Sequence, residues 1–201
     1  MNIVITGANS GVGQALCNLL QPLHEITALT RDVVDLASMA DVIAWPGLDC
    51  DILVNAAATG RGGKQPFCDH PSDWVAEILT TNLLAPVILT QKVLRVNPAC
   101  RVVNITSTNN RRYHNNDLAY SLSKQSLAMF DNMLRVEYPQ ANLLEVRLGL
   151  TRTGFNANRY RDQPERLIDV YQQPHLDVNL VASKICTVLF DSTVHMIEIA
   201  P

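Results

Sequence analysis

Residues 2–13 read NIVITGANSGVG, a short apolar run that gives way at once to glycines spaced GxxxGxG. Ile3, Val4 and Ile5 carry the branched side chains that suit a buried strand, and Gly7, Gly11 and Gly13 fall where that strand hands over to a helix. Glycine there lets the backbone turn tightly and approach a pyrophosphate. The phosphate charge is then met by free N–H groups and by the positive end of the helix. Candidate dinucleotide contacts are therefore Gly7, Asn9, Ser10, Gly11, Val12 and Gly13. Glycine also punctuates ordinary turns, so the pattern counts only because a strand precedes it and an amphipathic helix follows.

Outward from this opening, strand and helix signals alternate along the chain. Strands are expected at 3–6, 25–30, 51–55, 101–106, 142–147 and 195–199, and helices at 13–20, 38–44, 72–96, 118–138 and 179–191. Runs such as DILVNA and RVVNIT are continuously apolar, as strands covered on both faces require. The order predicts an α/β fold: a doubly wound parallel sheet of about six to seven strands with helices on both faces, in a single domain over 1–201. Ligands of such sheets bind beyond the C-terminal ends of the strands. The chain between Arg31 and Asp51 is too short for a full strand and helix, so the sheet is expected to be abridged after its second strand. Val33 and Val34 are read as a remnant of a third strand. The stretch 152–175, rich in Arg, Asn, Gln and Pro, is read as a substrate-covering loop with a short helix.

Composition narrows the function. The chain has 201 residues, 47% of them hydrophobic, enough for one sizeable core. A net charge of −3 does not supply the clustered positive charge of a nucleic-acid binder. No run reaches the roughly 20 apolar residues of a membrane helix, and the opening residues carry no export signal, so a cytoplasmic protein is expected. The 5 cysteines have no CxxC spacing and are read as buried thiols of a reducing compartment. The 5 histidines lack metal-ligand spacing, and no metal site is expected.

The chemistry enters with AYSLSK, where Tyr120 and Lys124 stand one helical turn apart and can meet one ligand. A phenol, with an unperturbed pKa of about 10, becomes a usable proton donor or acceptor when a nearby ammonium stabilises its phenolate. Ser107, at the end of a predicted strand, and Asn82, on the preceding helical run, complete the candidate catalytic set of Asn82, Ser107, Tyr120 and Lys124. Singly, each has an ordinary reading: an exposed Tyr and Lys pair, a turn-forming Ser, an Asn bonded to local backbone. Their common position near one edge of the sheet favours a site.

The glycine spacing after Thr6, NAAA at 55–58, Ser107 and the YxxxK of Tyr120 and Lys124 together resemble the short-chain dehydrogenase/reductase family over almost the whole chain. The resemblance implies a Rossmann-type fold, NAD or NADP as cofactor, and hydride transfer between the nicotinamide and a carbonyl or alcohol carbon. It also implies that Tyr120 passes the proton, Ser107 positions the carbonyl, Lys124 holds the nicotinamide ribose and Asn82 supports the helix geometry and a water relay to the lysine. Asn55, Ala56 and Ala57 would border the adenosine side, although Ala56 and Ala58 depart from the family's NNAG. Thr153 matches the position that bonds the nicotinamide amide or the phosphate, while Leu148 replaces a family proline. Family members usually form homodimers or homotetramers.

Cofactor choice turns on the end of the second strand. Arg31 there can pair with the 2′-phosphate of NADP, which favours NADP(H) over NAD(H); it is otherwise a solvated loop arginine. Asp35 and Leu36 are read as adenine-side contacts, and Asp35 equally as a helix N-cap. Arg111, Arg112, Arg152, Arg159, Arg161 and Arg166 either converge on a small, anionic carbonyl substrate or form solvated surface. Two other functions stay open: an NADPH-binding redox sensor or scaffold without turnover, and a nucleotide-sugar reductase, suggested by VNAAA.

Overall fold

Among the described residues, six parallel strands form one sheet: β1 (Asn2–Thr6), β2 (Glu25–Leu29), β3 (Ile52–Asn55), β4 (Arg101–Ser107), β5 (Asn142–Leu148) and β6 (Met196–Ile199). Their order is β2-β1-β3-β4-β5-β6. The computed structural model describes residues 1–108 and 115–201. Eight α-helices are described: α1 (Gly11–Leu20), α2 (Met39–Ala44), α3 (Ser72–Leu79), α4 (Ala85–Val96), α5 (Leu118–Glu137), α6 (Gly154–Arg159), α7 (Pro164–Gln172) and α8 (Val178–Leu189).

Alternate strand residues point to opposite faces, and each face has its own core. On one side Ile3, Ile5, Val54, Val103 and Val146 pack against Leu16 and Leu20 of α1 and against Val181, Ile185 and Leu189 of α8. On the other side Val4, Leu53, Val102 and Leu143 pack against Val42 of α2 and against Leu89 and Val93 of α4. Most of these side chains are fully buried, and each such Leu, Ile or Val contributes about 1.5–3 kcal/mol. The doubly wound architecture read from the sequence is thus the observed one.

Three local expectations change. Val33 and Val34 do not form a strand: both amide N–H groups close a turn on the Thr30 carbonyl, each at 3.0 Å, and Val34 tucks into the second core. β2 is therefore the outer strand of the sheet, and its side chains are largely exposed apart from Ile26 and Leu29. Second, 152–175 holds two helices, α6 and α7, rather than a loop with one short helix. Pro164 starts α7, where its missing N–H costs no helical bond. Third, the thiols are not uniformly buried: Cys50 and Cys100 are, while Cys68 is exposed.

The helical run over 72–96 is also interrupted. Thr80–Leu84 forms a π turn between α3 and α4, marked by the Ala85 N–H bonding back to the Thr80 carbonyl. Pro86 lies just beyond it and lacks the N–H that an uninterrupted α-helix would direct to the Asn82 carbonyl. A helix that cannot close that bond relaxes into a wider turn, and such turns recur at functional positions.

Candidate active site

The glycine cradle is built by close backbone approach. The Thr6 hydroxyl, at the end of β1, accepts from the Ala56 and Ala57 N–H groups at 3.0 Å each, which draws the loop after β3 against the turn. Gly7 sits at φ 65°, and a Cβ there would come within 2.9 Å of the Ala57 Cα. At Gly13 a Cβ would lie 2.4 Å from the Gly7 carbonyl oxygen, so no other residue fits without moving the turn. Ser10 caps α1 with no side-chain bond, and the first turn carries no acidic residue, leaving the positive end of the helix uncompensated. A diphosphate fits that end.

One cavity of about 270 Å³ joins this cradle to the catalytic candidates. Gly7, Ser10, Gly11, Val12, Ala56 and Ala57 line one part; Ser107, Tyr120, Lys124 and Thr153 line the other. Thr153 faces the glycines directly, since a Cβ on Gly11 would be 3.6 Å from its Cβ. Asn9, Gly13, Arg31, Asp35, Leu36, Asn55 and Asn82 do not line it. Asn9 is exposed, Leu36 is buried in the second core, and Asn55 is buried with its amide donating to Asn104 Oδ1 at 2.8 Å. Arg31 is exposed and lies 3.7 Å from Asp35. Asp35 Oδ1 accepts from the Ala37 N–H, but the cap of α2 is Ser38, so the N-cap role falls three residues further on.

Ser107, level with Leu148 at the end of β4, shares the cavity wall with the Tyr120 phenol. Burial pushes that phenol up from its ordinary value, opposed by the Arg159 guanidinium and by the Ser107 hydroxyl. The Lys124 ammonium donates to the Ile105 carbonyl at 2.8 Å. Burial lowers its pKa to about 8, because a low-dielectric site penalises the charged form. Asn82 acts at one remove: its carboxamide clamps the Thr59 main chain by two bonds of 2.8 Å and donates to Ser123 Oγ at 3.2 Å. Ser123 in turn donates to the Tyr120 carbonyl at 2.7 Å, so the π turn holds the tyrosine-bearing turn of α5.

The sequence reading missed the cavity's far wall. Asp117, at the start of α5, pairs with Arg159 of α6, and both side chains are almost fully buried. The guanidinium lies 4.7 Å from the centre of the Tyr120 ring and 5.4 Å from that of Tyr160. Lys64 also lines the cavity. Among the lid arginines, Arg152, Arg161 and Arg166 are exposed and fit the solvated reading, whereas Arg159 does not. Arg111 and Arg112 lie outside the described residues. The signal for Asp117 was its place three residues before Tyr120, one turn away on the helix.

Fold and site together define a nucleotide-binding oxidoreductase of the doubly wound class. The family model for short chain dehydrogenase matches residues 23–164, and the chain belongs to that family of NAD(P)-dependent oxidoreductases. A curated relative, the NADP-dependent 3-hydroxy acid dehydrogenase of Schizosaccharomyces pombe, is 26% identical over 205 residues, covering 85% of this chain and 79% of the relative. Among solved structures, serine dehydrogenase complexed with NADP+ superposes with a TM-score of 0.82 at 20% identity, covering 99% of this chain and 94% of that one. The 3-ketoacyl-(acyl-carrier-protein) reductase of Brucella melitensis, complexed with NADH, superposes at 0.80 and 19% identity, covering 99% and 96%. At such identities the superpositions speak for the fold.

Proposed function

We propose that this chain is an NADP(H)-linked reductase of a small carbonyl compound, with Tyr120 as the proton donor. The observation that carries the reading is the placement of Ser107 and Tyr120 together with Lys124 on the wall of the same cavity as the glycine cradle. Gly7, Ser10, Gly11 and Val12 would hold the pyrophosphate against the start of α1, with Ala56 and Ala57 beside them and Thr153 opposite. A bound nicotinamide supplies the hydride. Ser107 orients the carbonyl oxygen, Tyr120 delivers a proton to it, and Lys124 provides the cation that replenishes and polarises the donor. Asn82 keeps the Tyr120 turn in place through Ser123.

The preference for NADP rests on Arg31, which is exposed at the end of the second strand, its contact with Asp35 a long one, and so can meet a 2′-phosphate. Lys64 on the cavity wall supports a substrate carrying a negative charge. Leu118, Leu122, Met129, Met133 and Val136, exposed along one stripe of α5, support a homodimer or homotetramer.

The test is NADPH oxidation against small ketones, aldehydes, β-keto acids and β-keto thioesters, with wild type and Tyr120→Phe side by side. Turnover should fall by about 10²–10⁴-fold in the variant, the usual worth of a general acid, while NADPH binding followed by fluorescence is unchanged. Equal turnover in both proteins would remove Tyr120 from the mechanism. Tight NADPH binding with no turnover across the panel would favour a sensor instead.

A further inference from the structure

The ion pair of Asp117 and Arg159 stands against the proposed proton donor and has no part in the mechanism above. Arg159 is 7% and Asp117 3% exposed, so water screens neither charge strongly. The guanidinium lies over the Tyr120 ring at 4.7 Å, and Phe155 and Tyr160 flank it at 5.9 and 5.4 Å. Gly60 closes the arrangement from the loop after β3, where a Cβ would be 3.0 Å from Arg159 Cδ. That loop is the one Asn82 clamps at Thr59. Lys124, one turn along α5, points its ammonium to the Ile105 carbonyl instead.

We propose that Arg159, fixed by Asp117, is a positioning residue that sets the acidity of the Tyr120 phenol, a second cation beside Lys124. The proposal rests on Tyr120 being the proton donor of the reaction. A cation on the ring face favours phenolate over phenol, because the ring gains electron density on losing its proton. Asp117, paired with the guanidinium, opposes this and keeps the effect moderate. With Asp117 occupying it, the guanidinium is not free to grip a substrate carboxylate as a lone arginine would, which leaves anion recognition to Lys64. Among the described residues, the other groups that face the phenol are Ser107 from β4 and Tyr160 after α6, and His70 faces the ion pair itself.

The two members of the pair must act on Tyr120 in opposite directions, and a merely structural pair would not do so. Protein labelled with 13Cζ-tyrosine reports phenol and phenolate directly, and the Tyr120 resonance is identified by its loss in Tyr120→Phe. At the alkaline pH where wild-type Tyr120 is half titrated, Arg159→Gln should lower the phenolate-to-phenol ratio by about tenfold, a shift of about one pH unit. Asp117→Asn should raise the ratio. Shifts of the same sign in both variants, or no shift in either, overturn the proposal. Removal of one partner of a buried pair is destabilising, so circular dichroism checks the fold of each variant. Where only one folds, the direction of its shift decides. No turnover is measured, so acidity control can fail while Tyr120→Phe remains inactive, and it can hold while the reductase reading fails.

Discussion

Lys124 shows how the site sets activity against stability. It is 2% exposed with its ammonium on a single described acceptor, the Ile105 carbonyl. Its pKa in the folded chain is about 8, against 10.5 for the free side chain. Below about pH 8 the folded chain therefore buries a charge that the unfolded chain leaves in water. Between 8 and 10.5 the folded form sheds its proton while the unfolded form keeps it, so stability rises with pH across that window. Lys124→Met should stabilise the cofactor-free chain by about 2 kcal/mol at pH 7, with the gain shrinking toward pH 10.5. Urea unfolding at pH 7 and pH 10 measures both, and equal destabilisation at the two values would show that the ammonium's bond to Ile105 outweighs its burial. Turnover should be lost in the same variant.

At the scale of elements, α5 presses a second ionisable group onto the sheet. Asp131 is fully buried; its Oδ1 accepts from Asn104 Nδ2 at 2.5 Å, and Asn104 Oδ1 accepts from Asn55 at 2.8 Å. Burial raises its pKa from 3.8 to about 7, with Asn104 and Arg135 pulling it down and Glu145 pushing it up. Here the folded chain takes up a proton that the unfolded chain has lost, so stability falls as pH rises from 3.8 through 7. Asp131→Asn keeps the shape of the protonated acid. It should add about 2 kcal/mol at pH 8 and almost nothing at pH 4, again by urea unfolding; a loss at both would mean the carboxylate is held by bonds that an amide cannot make. The strands this network crosses were legible in the sequence because β3 and β4 are continuous apolar runs covered on both faces. The π turn under Asn82 was not, because apolar spacing continues unbroken from α3 into α4 and a slipped hydrogen bond leaves no mark in it. Its trace is Pro86, four residues past Asn82. The lid helices escaped for another reason: α6 and α7 are short and set among Arg, Asn, Gln and Pro, so too few turns accumulate for apolar spacing to stand out.

For the molecule as a whole, the cradle and the cluster of Ser107, Tyr120 and Lys124 that shares its cavity could be picked out in the sequence because close backbone approach demands glycine and because those residue types stand at telling spacings. The Asp117–Arg159 wall could not, since its partners are 42 residues apart and meet only when α6 folds over the start of α5. The association of copies lies at the limit of the same reading. Leu118, Leu122, Met129, Met133 and Val136 of α5 are all exposed, Val136 by 83%, at the three-, four- and seven-residue spacings that put them along one stripe of the helix. A stripe of this kind, unpaired within its own chain, calls for an apolar partner, and a second copy offers the same stripe for a two-fold, self-complementary seam. Sedimentation equilibrium should then give a dimer or tetramer for the wild type. Leu122→Glu with Met133→Glu should shift it to monomer by placing like charges across the seam, with the far-ultraviolet circular dichroism unchanged because both side chains are exposed. A wild type that stays monomeric at high concentration would show that the stripe serves some other purpose.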